Sequence, residues 1–115
     1  MAVAAKLDLT GDAAIEIGAD YSIVIKTCNQ PDLVTGGYVG SCQIKDKKTG
    51  TIVLSPTISI IDNTHYSINA SFTNTLTVTP GDYDYDVRFV SNTNTFYSVR
   101  GYVTVIKTFT KDVVV

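Results

Sequence analysis

The stretch "GDYDYDVRFV", residues 81–90, decides the fold. Asp82, Asp84 and Asp86 alternate with Tyr83, Tyr85 and Val87, a period of two that belongs to an extended strand and not to a helix. In a strand, Tyr83, Tyr85, Val87 and Phe89 project to one face. Asp82, Asp84, Asp86 and Arg88 project to the other, with same-face neighbours ~6–7 Å apart. The aromatic face requires burial and the charged face requires water. The same carboxylates fit a metal or acid–base cluster poorly. A calcium loop needs Gly at its sixth position to fold its carboxylates around one ion, and Val87 stands there. A solvated row of aspartates also lacks both the desolvation that raises a pKa and a neighbouring base.

Alternation recurs on both sides of this strand. "AAIEIG" and "DYSIVIKT" predict the first strands, separated by Gly18-Ala19, with Tyr21, Ile23 and Ile25 on one face. "NQPDLVTGG" interrupts the pattern, and "YVGSCQIKD" resumes it with Tyr38, Cys42 and Ile44 inward. "DKKTGT" is a turn, and "PTISII" with "HYSINASF" forms a second hairpin. "TNTLTVTPG" leads into residues 81–90, "SNTNT" turns, and "FYSVRGYVTVIKTF" is the last long strand, with Gly101 read as a bulge or bend. Turn signals every ~8–12 residues predict a sandwich or small barrel. The expectation is an all-β, Ig-like antiparallel β-sandwich of seven or eight strands.

The 115 residues suit one compact domain, 1–115, with a core over about 8–110 and short arms at either end. The composition is 44% hydrophobic and only 17% charged, with net charge −2 and a pI near 5.1. Neither nucleic acid nor an anionic membrane has an electrostatic footing on such a chain. Asp8 and Asp12 interrupt the apolar start "MAVAAKLDLTGD" before a signal-peptide core forms. The apolar runs are shorter than the ~20 residues a bilayer span needs. The expectation is a soluble protein of a reducing compartment. Cys28 and Cys42 have no metal-motif spacing and fall on opposite faces, so both are expected as free thiols.

Other candidates for chemistry are weak. His65, the sole histidine, lies in the turn "DNTHY", so a zinc site or a His-paired nucleophile lacks its second member. "TGGYVG" does not open a helix and so lacks the amide-lined terminus that a phosphate loop uses. Tyr38, Tyr66, Tyr83, Tyr85, Tyr97 and Tyr102 offer rings that bases stack on, but most sit at core parity with only Arg88 and Arg100 near them. No cofactor or metal is expected, and no catalytic residues are assigned. Gly81, Tyr83 and Tyr85 resemble the tyrosine corner of immunoglobulin-like sandwiches, with Tyr83 bonding back to the preceding corner. Tyr85 stands where an immunoglobulin cysteine would be, and the chain has no Trp.

Four motifs in order carry a further resemblance: Gly18-Ala19 opening an alternating strand, "DLVTGGY" at 32–38, "GDYDYDV" at 81–87, and Gly101, Val103 and Val105 in the last strand. From about residue 8 to about 110 the chain resembles a β-sandwich domain of tailed-bacteriophage structural proteins. It is similar to the N-terminal domain of phage upper-baseplate proteins and their small single-domain relatives. The resemblance implies a non-enzymatic virion component of tail, baseplate, collar or head surface. Such a component binds other virion proteins in a symmetric assembly, as a homo-oligomer, and is made in the host cytoplasm. Val113, Val114 and Val115 are the candidate assembly contact, by pairing with a neighbour's sheet edge. The alternative is a stand-alone Ig-like module that binds host-surface carbohydrate or protein through Tyr97 and Tyr102.

Overall fold

The computed structural model describes residues 4–107. Apolar/polar alternation is realised there as nine strands: β1 (Ala5–Lys6), β2 (Ile15–Glu16), β3 (Tyr21–Lys26), β4 (Val39–Lys45), β5 (Ile52–Leu54), β6 (Thr57–Asp62), β7 (His65–Ala70), β8 (Gly81–Val90) and β9 (Thr95–Ile106). One short helix, α1 (Phe72–Thr75), stands between β7 and β8. The strands form two sheets, one in the order β1-β9-β8-β4-β5 with β2 also on β9, the other in the order β3-β7-β6. With β3 to β9 lettered B, C, C′, D, E, F and G, these orders are G-F-C-C′ and B-E-D, the immunoglobulin arrangement. The chain is an Ig-like all-β sandwich.

The core lies between the sheets, where alternation directs it. β8 buries Tyr83, Tyr85, Val87 and Phe89 and leaves Asp82, Asp84 and Arg88 exposed. From the facing sheet come Tyr21, Ile25, Tyr66 and Ile68. Tyr66 meets Phe89 edge-on at 5.0 Å, Phe89 stacks on Phe96 at 5.5 Å, and Phe96 meets Tyr38 edge-on at 5.0 Å. Each such pair contributes ~0.5–1.5 kcal/mol beyond the area it buries. Gly40, opposite Phe89 in the ladder, lets the sheets close, because a Cβ there would stand 2.6 Å from Ile58 Cγ2 and from Phe89 Cε1.

The tyrosine corner is present. The Tyr83 hydroxyl donates to the Thr79 carbonyl at 2.7 Å and lies 2.8 Å from Thr79 Oγ1, tying the start of β8 to the corner before it. That corner is organised by α1. Ser71 caps it by accepting from Asn74 N, and the buried Thr75 hydroxyl donates to the Ala19 carbonyl at 3.0 Å.

Four details depart from expectation. β5 is an additional strand, too short to show a period, and its inclusion with the two-residue β1 and β2 brings the number to nine. β1 and β2 run parallel to β9, not antiparallel, because the N-terminal segment lies along the edge of the larger sheet. The register irregularity between β8 and β9 falls between Val87 and Arg88, where Ser98 and Val99 are both buried, and not at Gly101. Gly101 instead accepts the crossing of residues 7 and 8, since a Cβ there would stand 2.2 Å from the Leu7 carbonyl oxygen. His65 belongs to β7, paired with Lys26, and not to the turn.

Candidate interaction surfaces

The carboxylates of β8 lie on the outer face of the larger sheet. The ladder arranges that face in rows: Ser41–Arg88–Tyr97, Gln43–Asp86–Arg100 and Lys45–Asp84–Tyr102, with Asp82 beside Thr104. Asp82 accepts from the Thr104 hydroxyl at 2.8 Å. Among the described residues, no group of three or more His, Cys, Asp or Glu is placed to hold a metal ion. The spacing along a strand explains this, since it splays same-face carboxylates ~6–7 Å apart. Opposite charges alternate across the strands, yet the one close contact of a basic with an acidic side chain among the described residues is His65 Nδ1 with Asp62 Oδ1, at 2.8 Å.

Tyr97 and Tyr102 both reach this outer face, half-buried. Their positions differ by five, which in an uninterrupted strand would send them to opposite sides. The extra residue at the bulge restores Tyr97 to the same side. Neither ring is a bare platform, because the Arg100 guanidinium lies 4.2 Å from the Tyr97 centroid and Lys47 Nζ lies 5.2 Å from that of Tyr102. A sugar stacking on either would displace a cation. Val113, Val114 and Val115 lie outside the described residues.

The Asp62 and Thr64 side chains both approach His65 at the same ring nitrogen, Nδ1, at 2.8 and 3.0 Å. A catalytic relay uses the two nitrogens separately, one for the carboxylate and one for the nucleophile. This arrangement instead closes a turn. The Asp62 carboxyl lies below its usual range because the Thr64 amide donates to it, with His65 second. The glycine-rich 32–38 loop is likewise structural, with Asn63 Oδ1 accepting from the Val34 and Thr35 amides, both at 3.0 Å.

The buried titratable groups face the core and not the surface. Burial pushes the Cys42 thiol up to about 12, with Asp86 adding to it. Burial also pushes the Tyr21 and Tyr66 hydroxyls up to about 12 and raises that of Tyr85. Cys28 is exposed and Cys42 buried, both as free thiols. Tyr66 donates to Ser98 Oγ at 2.9 Å, and Ser98 donates in turn to Gln30 Oε1 at 2.7 Å. The Gln30 amide nitrogen returns to the Ser98 carbonyl at 2.8 Å. No sequence pattern announces this three-residue network, since its members are separated by tens of residues.

Large apolar side chains are exposed at scattered places, among them Val24 in the middle of β3 and Ile61 in β6. Phe72 and Leu76, 51% and 59% exposed, project from the helical corner, and Val39, 72% exposed, stands at the start of β4. β3 and β6 edge the smaller sheet, and β5 edges the larger. No helix among the described residues is long and apolar enough to cross a membrane. The chain matches no protein-family profile and no curated protein sequence.

Proposed function

We propose that this chain is a non-enzymatic building block of a bacteriophage virion, a component of tail, baseplate, collar or head surface that acts through contacts with other virion proteins. One observation carries the reading. Two of the motifs behind the resemblance, in the consecutive strands β8 and β9, are ladder partners: Gly81 with Val105, Tyr83 with Val103, and Tyr85 with Gly101. Motifs that pair residue for residue in adjacent central strands belong to one structural pattern, and here that pattern includes the tyrosine corner. The surface supports a role in contacts. Polar sheet faces, unpaired strand edges and exposed Phe72 and Leu76 are features through which subunits meet.

The test is mass spectrometry of purified phage particles from a lysate of the source strain, with immunogold labelling to place the protein on the particle. Recovery at a fixed stoichiometry, with labels at one position, is the expected result. Absence from intact particles, with the protein free in the lysate, refutes the reading.

A further inference from the structure

We propose that the parallel pairing of the N-terminal segment with β9 is a mechanical clamp, through which this chain carries tension along its strands. The inference goes beyond the virion reading and does not depend on it.

Direction carries the argument. Residues 5–9 run beside residues 99–103, and residues 15–16 beside 105–106, in both places parallel. The chain therefore enters the segment at one end of the sandwich, next to Val99, and leaves β9 at the other, past Ile106. Tension applied through the chain at these two ends draws the segment and β9 past each other along their length. Every bond between them then lies across the load at once. Antiparallel pairing, as in the β8–β9 hairpin, brings the two ends of a pair together instead, and tension there opens bonds one at a time.

The bonds across the clamp are well distributed. Leu7 donates to the Arg100 carbonyl at 2.9 Å, Leu9 to the Tyr102 carbonyl at 2.8 Å, Thr104 to the Leu9 carbonyl at 2.9 Å and Ile17 to the Ile106 carbonyl at 3.0 Å. Asp8 Oδ1 also accepts from the Tyr102 amide at 3.1 Å. Two phenols hold the segment from the core side, Tyr85 at the Leu7 carbonyl and Tyr21 at the Ala13 carbonyl, the latter at 2.6 Å. Packing opposes sliding as well. Leu9 and Ile15 are buried, and a slip of one residue along β9 would turn both away from the core. The turn between the two paired stretches, Gly11–Ala13, gives little slack, because the Ala13 and Ala14 amides bond back to the Thr10 and Gly11 carbonyls.

The test is single-molecule pulling of the full chain with DNA handles on introduced thiols, in a C28S background that removes the exposed cysteine. A4C/K107C loads the clamp along the strands. A4C/T93C places the second handle at the β8–β9 turn, on the same end as Ala4, and peels the same segment from Ala5 onward. Lys107 and Thr93 are exposed, and thermal melting checks that each variant is folded. Forced unfolding is governed by the barrier to unfolding, so the rupture force along the strands is expected to exceed the peeling force several-fold. Y85F, which removes one phenol from the segment, should lower the force along the strands, and G101A, which sets a Cβ against the Leu7 carbonyl, should lower it further. Equal forces in the two directions overturn the proposal. A high force along the strands that neither substitution lowers places the resistance outside this segment and overturns it too. Neither result bears on the particle analysis, which tests the virion reading alone.

Discussion

Replacing Gly101 by Ala isolates the fit of the N-terminal segment against β9. A Cβ at this position would stand 2.2 Å from the Leu7 carbonyl oxygen and 2.6 Å from Asp8 Oδ1. That is ~1 Å inside ordinary carbon–oxygen contact at ~3.3 Å. The segment cannot yield cheaply. Leu7 and Leu9 donate to the Arg100 and Tyr102 carbonyls at 2.9 and 2.8 Å, and Asp8 Oδ1 accepts from the Tyr102 amide at 3.1 Å. The Tyr85 hydroxyl holds the Leu7 carbonyl from the core side. Backbone preference works the other way, because Gly101 is not in the left-handed region and Ala is better than Gly in a strand by ~0.5–1 kcal/mol. Any net loss must therefore come from the clash. Weakening three or four hydrogen bonds at ~0.5–1.5 kcal/mol each, with partial exposure of Leu9, gives about 2–4 kcal/mol after the backbone gain and partial relaxation. For 115 residues at ~2.1 cal/mol/K each, 1 kcal/mol is ~4 °C, so Tm should fall by ~8–16 °C. Thermal melting with hydrogen exchange at the Leu7, Leu9 and Thr104 amides reads both the cost and its location. A variant as stable as the parent, with those amides still protected, refutes the reasoning.

Further outcomes are expected. Y83F removes the corner bond to Thr79 and should cost about 1 kcal/mol in chemical denaturation, a Tm drop of ~4 °C. S98A leaves the Tyr66 hydroxyl and Gln30 Oε1 without Ser98 Oγ and should cost ~1–3 kcal/mol, whereas S98A/Y66F should cost less than the sum of the single changes. The folded Tyr21 and Tyr66 hydroxyls titrate at about 12, above the ~10 of the unfolded chain. Their contribution is fully present below pH ~10 and lost as pH rises through 12, with a slope of ~1.4 kcal/mol per pH unit for each, measurable by denaturation against pH with tyrosinate absorbance. A thiol reagent at neutral pH should label Cys28 at once and Cys42 only on unfolding.

Alternation made the long strands legible, because a period of two fixes which face is buried without knowledge of the partner strand. Residues 81–90 and the 57–70 hairpin stand where their sequences put them. β5 was not legible, since Ile52–Leu54 is too short to show a period and gains strand character only by pairing with β4. Gly101 was misread for a related reason. A glycine in a strand marks either a bulge or a close approach, and only the path of residues 7 and 8 distinguishes them. The bulge left a trace in the sequence as a slip of parity, with Phe96 and Ser98 inward and then Val99 also inward. That slip brings Tyr97 and Tyr102 to one face. The cations over their rings were legible only in part. Arg100 is three residues from Tyr97, but Lys47 reaches Tyr102 from a turn that the fold alone brings near.

The tyrosines explain how this sandwich holds together without the inter-sheet disulfide and tryptophan of immunoglobulin domains. Four rings enter the core, and each hydroxyl leaves it toward a different segment. Tyr21 donates to the Ala13 carbonyl, Tyr66 to Ser98 and through it to Gln30, Tyr83 to Thr79, and Tyr85 to Leu7. A disulfide joins two points of the chain. Four phenols join the N-terminal strand, the turn before β2, the β3–β4 loop and the helical corner to one core, each adding its buried ring to the hydrophobic term. These bonds are indifferent to redox conditions, so Cys42 serves as a small apolar residue with its thiol protonated. The phenols anchor the loops from inside, and the exposed Arg88 and Asp84 on the outer face form no ion pair among the described residues. Charge changes at the exposed Arg88 and Asp84 are therefore expected to leave the protein folded, with a thermal melting midpoint close to that of the parent chain.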